Sequence, residues 1–391
     1  MNAPLLDRVR ERLAADGAPL RPTVVAAAIR AESGGVLGDT EVLTSLRELQ
    51  TEFVGAGILE PLLTAPGTTD VLVTAPDAVW FDDGAGLRRS TVQFADDAAV
   101  RRLAQRLALS AGRRLDDAQP WVDGHLSDLG SPTGAPLSVR LHAVLPPIAA
   151  GGTCLSLRVL RPATQDLTAL VTSGTIADEA AVLVRDIIAA RLAFVVSGGT
   201  GSGKTTLLAA LLGAVPASER ILCVEDATEL APDHPHLVSL VARPANVEGV
   251  GEVTVRDLVR QALRMRPDRI VVGEVRGAEV VDLLTALNTG HDGGAGTVHA
   301  NSPSEIPARF EALAALGGLD RAALHSQLGA AIHVVLHMSR TPSGRRRLGE
   351  IGVLQRDRDG RVHVVTSWSA ETGYREGADL LRRLIDHGGG S

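Results

Sequence analysis

Between residues 177 and 289, unbroken apolar runs alternate with stretches of helical spacing. LAFVVSG (192–198), RILCVED (220–226) and RIVVGE (269–274) are short and rich in branched residues. Such runs predict strands of a parallel sheet buried on both faces. Residues 180–190, 205–214, 256–265 and 278–289 carry apolar positions at helical period, so helices cover that sheet. Further on, HVVLHMS, RRLGEIGVLQ and VHVVTSW are separated by turn signals at Ser343-Gly344 and Asp359-Gly360, which predicts appended hairpins.

Upstream the rhythm differs. TDVLVTA (69–75), AVWF (78–81), TVQF, LSVRLHAV (137–144) and CLSLRVL (154–160) read as strands, and Asp96–Leu109 as a helix. Three short amphipathic helices are expected before residue 54. The first carries Leu5, Leu6, Val9 and Leu13, the second runs near Val24–Arg30, and the third carries Val42, Leu46, Leu49 and Phe53. The expected organisation is a helical appendage (1–54), an α+β domain (55–161), a Thr/Ser-rich linker (162–177) and an α/β domain (178–391).

Composition removes several function classes. The chain has 391 residues, 45% hydrophobic and 22% charged, and a net charge of −7. No basic field exists to hold nucleic acid, and 2% aromatics offer few stacking platforms, which argues against a DNA-handling motor. No apolar run is long enough to span a bilayer. The opening MNAPLLDRVRERLAADG interleaves charges with leucines and reads as helix, not as a secretory signal. Two cysteines, Cys154 and Cys223, are too few for a disulfide framework, so a reduced, cytoplasmic compartment is expected, with Cys223 in the core.

The basic residues number 39, and a single one, Lys204, is lysine. Arginine and lysine exchange freely on solvated surfaces but not where a compact point charge must reach a phosphate. Lys204 lies in Gly198-Gly199-Thr200-Gly201-Ser202-Gly203-Lys204-Thr205-Thr206, which fits G-x-x-x-x-G-K-[ST] between a strand and a helix. Glycines let backbone N–H groups surround phosphate oxygens, and the following helix aims its positive end at the same anion. Lys204 is then expected on the terminal phosphates and Thr205 on Mg²⁺.

Hydrolysis also needs acids opposite this loop. RILCVED ends in Glu225-Asp226, with Glu229 three residues on, and RIVVGE ends in Glu274. Ligands of parallel sheets sit beyond the carboxyl ends of strands, so both groups are expected to face Lys204. Glycine stands before Glu274 and cannot bind metal, so Glu225 is expected to help hold Mg²⁺, with Glu274 acting partly through water. Thr289–Asn301 reads as a glycine-rich loop carrying His291 and His299, candidate donors to a transferring phosphoryl group.

GGTGSGKTT, VEDATEL, LRMRPDRIVVGEVRGAE and NTGHDGGAGTVHANSP, in that order, resemble the Walker A, Asp-box, Walker B and His-box motifs of the secretion ATPase superfamily of type II and type IV secretion and pilus machines. Their wording is most similar to the CpaF-type branch, the ATPases of tight-adherence (Tad/Flp) pilus assembly, including conjugal-transfer-associated relatives. The likeness extends upstream through TDVLV, RLHAVLPP and LSLRV, and so covers roughly residues 55–350.

The resemblance implies a RecA-like ATPase domain with a smaller N-terminal α+β domain and a homo-hexameric ring binding ATP and Mg²⁺. The partner would be a platform protein at the inner face of the cytoplasmic membrane. It carries Glu225 to the Asp-box acid, Glu274 to the catalytic glutamate, and His291 and His299 to the His box. Arg140 and Arg158 occupy strands from which the family brings arginines towards the γ-phosphate. Two other basic groups read more blandly. Arg264, Arg266 and Arg269 read as a solvated helix end ahead of an intersubunit basic surface, and Arg345-Arg346-Arg347 as edge-strand protection ahead of a contact for acidic lipid.

Overall fold

A computed structural model describes residues 8–9, 12, 22–34, 38, 55–129, 137–161, 163–246, 248–341 and 343–388. The chain divides into two compact units, Met1–Arg161 and Pro162–Ser391. The expected first and third helices lie almost entirely outside the described residues. The second is α1 (Pro22–Glu32), with Val25, Ala28 and Ile29 buried.

In the first unit, α2 (Glu60–Thr64) precedes β1 (Asp70–Ala75), β2 (Ala78–Asp82), β3 (Leu87–Arg89), α3 (Asp97–Ser110), β4 (Trp121–Leu129), β5 (Leu137–Val144) and β6 (Cys154–Leu160). The strands form a six-stranded sheet in the order β3-β2-β1-β6-β5-β4, antiparallel throughout. Period-two alternation decides which face is inside. Val139, Leu141 and Ala143 of β5 join the core, to which α3 adds Val100, Leu103 and Leu107. Asp96 caps α3 through Ala99 N (2.7 Å), and Asp97 accepts from Thr153 N (2.6 Å), tying the helix start to the approach to β6.

One expectation fails in this unit, and one strand lies where none was expected. TVQF is not a strand: Val92 and Phe94 pack on the core from an irregular segment. The polar-rich Trp121–Leu129, which shows little apolar periodicity, pairs with β5 on either side of an irregularity between Leu126 and Leu129.

The second unit begins inside the segment expected as linker. Leu167–Thr172 forms α4, capped by Asp166, and Leu167 and Leu170 are buried in this unit's core. Then follow α5 (Asp178–Ala189), β7 (Phe194–Gly198), α6 (Lys204–Gly213), β8 (Ile221–Glu225), β9 (Leu237–Val241), α7 (Val255–Ala262) and β10 (Arg269–Val272). After these come α8 (Glu279–Leu287), β11 (Ala295–Val298), α9 (Ile306–Leu316), α10 (Arg321–Ala331), β12 (Val334–Arg340), β13 (Arg346–Arg356), β14 (Val362–Ser369), β15 (Gly373–Tyr374) and α11 (Ala378–Gly388). The nine-stranded sheet runs β15-β14-β13-β12-β7-β11-β10-β8-β9. Strands β12 to β9 in that order pair in parallel, and β13 to β15 extend the sheet antiparallel. The fold is α/β, an antiparallel N-terminal unit followed by a mixed-sheet unit.

Both faces of the sheet are covered. Phe194, Val196, Cys223 and Val271 point into one core with α4, α5, α6 and α11, while Val195, Leu222, Val224 and Val272 point into the other with α7 to α10. Helix α6 is apolar all round, with Leu207 to Leu212 buried, so its position is fixed by packing on every side. At ~1.5–3 kcal/mol per buried leucine, this packing holds the loop before it in place. Helix α7 starts at a complete capping box, Thr254 with Asp257.

Candidate functional site

The loop after β7 is shaped by steric necessity. Gly198 has φ +145°, and a Cβ there would run into the Met338 carbonyl and Ser202 Oγ. Only glycine fits, and the chain turns directly into α6. Lys204, the first residue of that helix, is 7% exposed; its Nζ donates to Gly198 O (3.1 Å) and Gly199 O (3.0 Å). Burial pulls its pKa down and Arg276 adds to this, while Glu274 and Glu229 oppose it.

The acids arrive at the same sheet edge by register. β8 ends at Glu225, and its neighbour β10 ends at Val272, immediately before Gly273-Glu274. Glu225 is 4% exposed, and its Oε1 accepts from Glu229 N (3.1 Å) and Leu230 N (2.9 Å). Its Oε2 is buried without a hydrogen-bond partner. Burial pushes this carboxyl up to about 7, with Glu229 and Asp226 adding repulsion and the two N–H donors opposing. Gly273 now has a physical reason: a Cβ there would lie 2.8 Å from Glu225 Cγ. The glycine makes room for the neighbouring glutamate.

Glu274 faces two cations, Arg276 and Lys204, and the imidazole of His299. Its Oε2 accepts from Arg276 Nη2, and its Oε1 lies 2.8 Å from His299 Nε2 without an aligned hydrogen bond. Burial would raise its pKa, but the Arg276 bond and charge, with His299 when protonated and Lys204, outweigh it, so the carboxyl sits below its ordinary value. His299 Nδ1 is 3.4 Å from Lys204 Nζ. Burial and the Lys204 charge lower the imidazole's pKa, although Glu274 opposes them, which favours the neutral ring. Since ammonium can only donate, Nδ1 accepts and Nε2 carries the proton.

Thr205 Oγ1 reaches Glu229 Oε2 at 3.4 Å, and Glu229 N bonds Glu225. One polar chain therefore links Thr205, Glu229 and Glu225. These are hard oxygen ligands, and the orphaned Oε2 of Glu225 is the kind of acceptor a divalent cation satisfies, so the residues fit Mg²⁺. Among the described residues no cluster of three or more His, Cys, Asp or Glu forms a complete protein cage. Mg²⁺ that is bound chiefly by substrate phosphates needs none.

The structure separates the two histidines. The segment read as one loop contains β11, inserted between β7 and β10. His299 follows the carboxyl end of this strand, whereas His291 precedes its amino end. Four strand residues span ~13 Å. His291 Nδ1 lies 3.1 Å from Ala286 O at the close of α8, and His291 has no hydrogen bond or ion pair to Lys204, Glu274 or His299. Arg140 and Arg158 are direct cross-strand partners on the outward face of the first unit's sheet. Arg140 pairs with Asp123 (2.7 Å) and Arg158 with Asp70 (2.9 Å).

Arg276 was not singled out from sequence. It bonds Glu274 and lies 3.5 Å from Asp226. Its only sequence signal is its place two residues after Glu274. Glu229, marked in the sequence only by its place three residues beyond Asp226, is the partner of Thr205. Two bland expectations also change. Arg269 is 1% exposed rather than solvated: it donates to Glu219 (2.7 Å), Gly293 O (3.3 Å) and Ile188 O (2.9 Å). Arg345 and Arg346 do not shield an outer edge but line a cavity of about 280 Å³ beside Gly203, Thr206 and Leu207. Met338 and Leu170 supply apolar wall to the same cavity.

Comparison with known proteins identifies relatives of this chain. The chain is 73% identical over 350 residues to a candidate conjugal transfer protein of Mycobacterium tuberculosis, covering 90% of this chain and 98% of that one. It is 31% identical over 296 residues to the probable conjugal transfer protein TrbB of Sinorhizobium fredii, covering 74% of this chain and 84% of that one. In fold it resembles the pilus retraction motor PilT with bound ADP, at a TM-score of 0.52 and 19% identity, covering 83% of this chain and 85% of that one. The Legionella pneumophila ATPase DotB gives a TM-score of 0.51 at 20% identity, covering 85% and 88%. No helix among the described residues is long and apolar enough to cross a membrane. With the type II/IV secretion system protein family matching residues 52–382, the chain belongs to that family of ATP-hydrolysing secretion proteins.

Proposed function

We propose that the chain is the hexameric ATPase motor of a conjugation, secretion or Tad/Flp-type pilus machine, working at the cytoplasmic face of the membrane against a platform protein. The observation that carries this reading is the meeting of Lys204, Glu274 and His299 at one sheet edge. In it Glu274 Oε1 is buried and lacks an aligned donor. That oxygen is placed to accept from an attacking water.

The phosphate loop and the positive end of α6 hold the polyphosphate, and the cavity beside Thr206 takes the nucleoside end of the ligand. Lys204 leaves the Gly198 and Gly199 carbonyls to meet the terminal phosphates. Mg²⁺, held by Thr205 with Glu225 and Glu229, would neutralise developing phosphate charge. Glu274 stays ionised because of the cations around it and orients the water. Neutral His299 offers its Nε2 proton beside the same carboxylate. Arg276 keeps Glu274 deprotonated and fixes its rotamer. Arg140 and Arg158 are proposed to supply further positive charge when the ring assembles.

The test is phosphate release at saturating ATP. Glu274→Gln is expected to lower turnover by about 100-fold or more while ADP still binds, because the amide keeps the shape and loses the acceptor charge. Equal, negligible rates for both proteins, with nucleotide still bound, would make the chain a nucleotide-gated scaffold instead.

A further inference from the structure

The β12–β13 hairpin brings an unneutralised group of arginines to the phosphate loop. β12 runs parallel to β7 with Met338 opposite Gly198, so Arg340, two residues on, stands beside Thr200 and Gly201. Its guanidinium donates twice to Gly201 O, at 2.9 Å and 3.3 Å. Arg346 is the direct antiparallel partner of Arg340. Two like charges facing each other oppose strand pairing. Alternation places both on the α6 side, in line with the buried Met338 and Leu348. A Cβ on Gly203 would lie 3.3 Å from Arg346 Cδ, so this side chain rests on the last glycine of the loop. Arg345 is tied to the cavity wall through Ser173 O at 3.1 Å.

Among the described residues, none of Arg340, Arg345 and Arg346 has a carboxylate within 4 Å, whereas Arg347, facing the other way, pairs with Glu371 at 2.8 Å. A cavity lined by two of these arginines, beside the start of a helix, calls for an anion.

The position selects which anion. Lys204, Glu274 and His299 mark where the terminal phosphate lies. The arginine-lined cavity begins on the other side of Gly203, against Thr206 and Leu207. We propose that Arg345 and Arg346 bind the phosphate next to the nucleoside, with Arg340 positioning the loop from outside. This rests on the reading that the loop binds a nucleoside triphosphate. The hairpin thereby supplies, from within one chain, charge that the single lysine cannot deliver to both ends of the polyphosphate.

The experiment is equilibrium titration of the full chain with fluorescent ADP and with a non-hydrolysable fluorescent ATP analogue. Arg346→Ala is expected to weaken both ligands by about tenfold and by the same factor, since the phosphate in question is common to both. Arg346→Lys is expected to recover part of the loss, because charge returns without the fork. Arg347→Ala, on the opposite face, is expected to bind within about twofold of wild type. Circular dichroism checks the fold of each variant, and Arg346→Lys carries the test if the alanine variant does not fold. Unchanged binding by folded Arg346→Ala and by Arg345→Ala/Arg346→Ala, with wild type binding normally, overturns the proposal alone. A loss confined to the ATP analogue also overturns it, because it would put the arginines on the terminal phosphate. A wild type that binds neither ligand overturns both this proposal and the phosphate-loop reading.

Discussion

Arg269→Met removes the most deeply buried charge of the second unit. The guanidinium is 1% exposed and bridges Glu219, the Gly293 carbonyl and the Ile188 carbonyl. Methionine fills much of the volume but satisfies none of these acceptors. Glu219 keeps Arg191 at 3.3 Å, which limits the damage to the carboxylate, while both carbonyls lose a charged donor. Breaking a buried pair by removing one partner costs about 3–5 kcal/mol. For a unit of this size each kcal/mol lowers the melting temperature by ~2–4 °C, so a fall of roughly 10 °C is expected. The assay is urea denaturation with thermal melts, run on Arg269→Met, Glu219→Gln and the double variant. The two losses should be less than additive by ~1–3 kcal/mol, because the second change acts on a pair already broken. A loss below 1 kcal/mol for Arg269→Met, or strict additivity, would refute the reasoning.

Gly273→Ala forces a methyl to within 2.8 Å of Glu225 Cγ, so it should cost ~1–3 kcal/mol of stability and at least tenfold in ATP turnover; adding Glu225→Ala should restore the stability but not the turnover, as melts and phosphate release would show. Glu225→Gln tests the raised carboxyl. Because burial moves it from 4.5 to about 7, the folded state holds its proton longer than the unfolded chain does. Stability from this group is therefore complete below pH 4.5 and declines by about 3 kcal/mol as pH rises to 7. In chelator-treated protein the variant should gain ~1–3 kcal/mol over wild type at pH 8 and little at pH 4.5; equal differences at both pH values would contradict the burial argument.

The phosphate loop was legible because every element of it is local: the glycines, the lysine and the flanking strand and helix are contiguous in sequence. The apolar strands around it declared themselves for the same reason. Strand β11 did not, since Ala-Gly-Thr-Val lacks the branched run that marks a buried strand; its glycine is needed where a Cβ would meet Val272 O at 3.1 Å. That one hidden strand is why two histidines eight residues apart looked like neighbours. Arg269 misled for a different reason. An arginine beside others reads as surface unless its partner is visible, and Glu219 is fifty residues away. The roles of Arg345 and Arg346 depended on a hairpin folding back on a loop more than a hundred residues earlier, which no spacing in the sequence announces. Helices α9 and α10 are likewise absent from the elements the sequence predicts, although Leu313, Leu324 and Leu328 are buried in the core on that face of the sheet.

Strand β11 has His299 at one end and the turn gripped by Arg269 at the other. An extended backbone is already close to its full length and has almost no slack to take up. The strand, paired on both sides, therefore fixes the separation between the imidazole and that turn, so the placement of His299 depends on an anchor at the opposite end of the sheet.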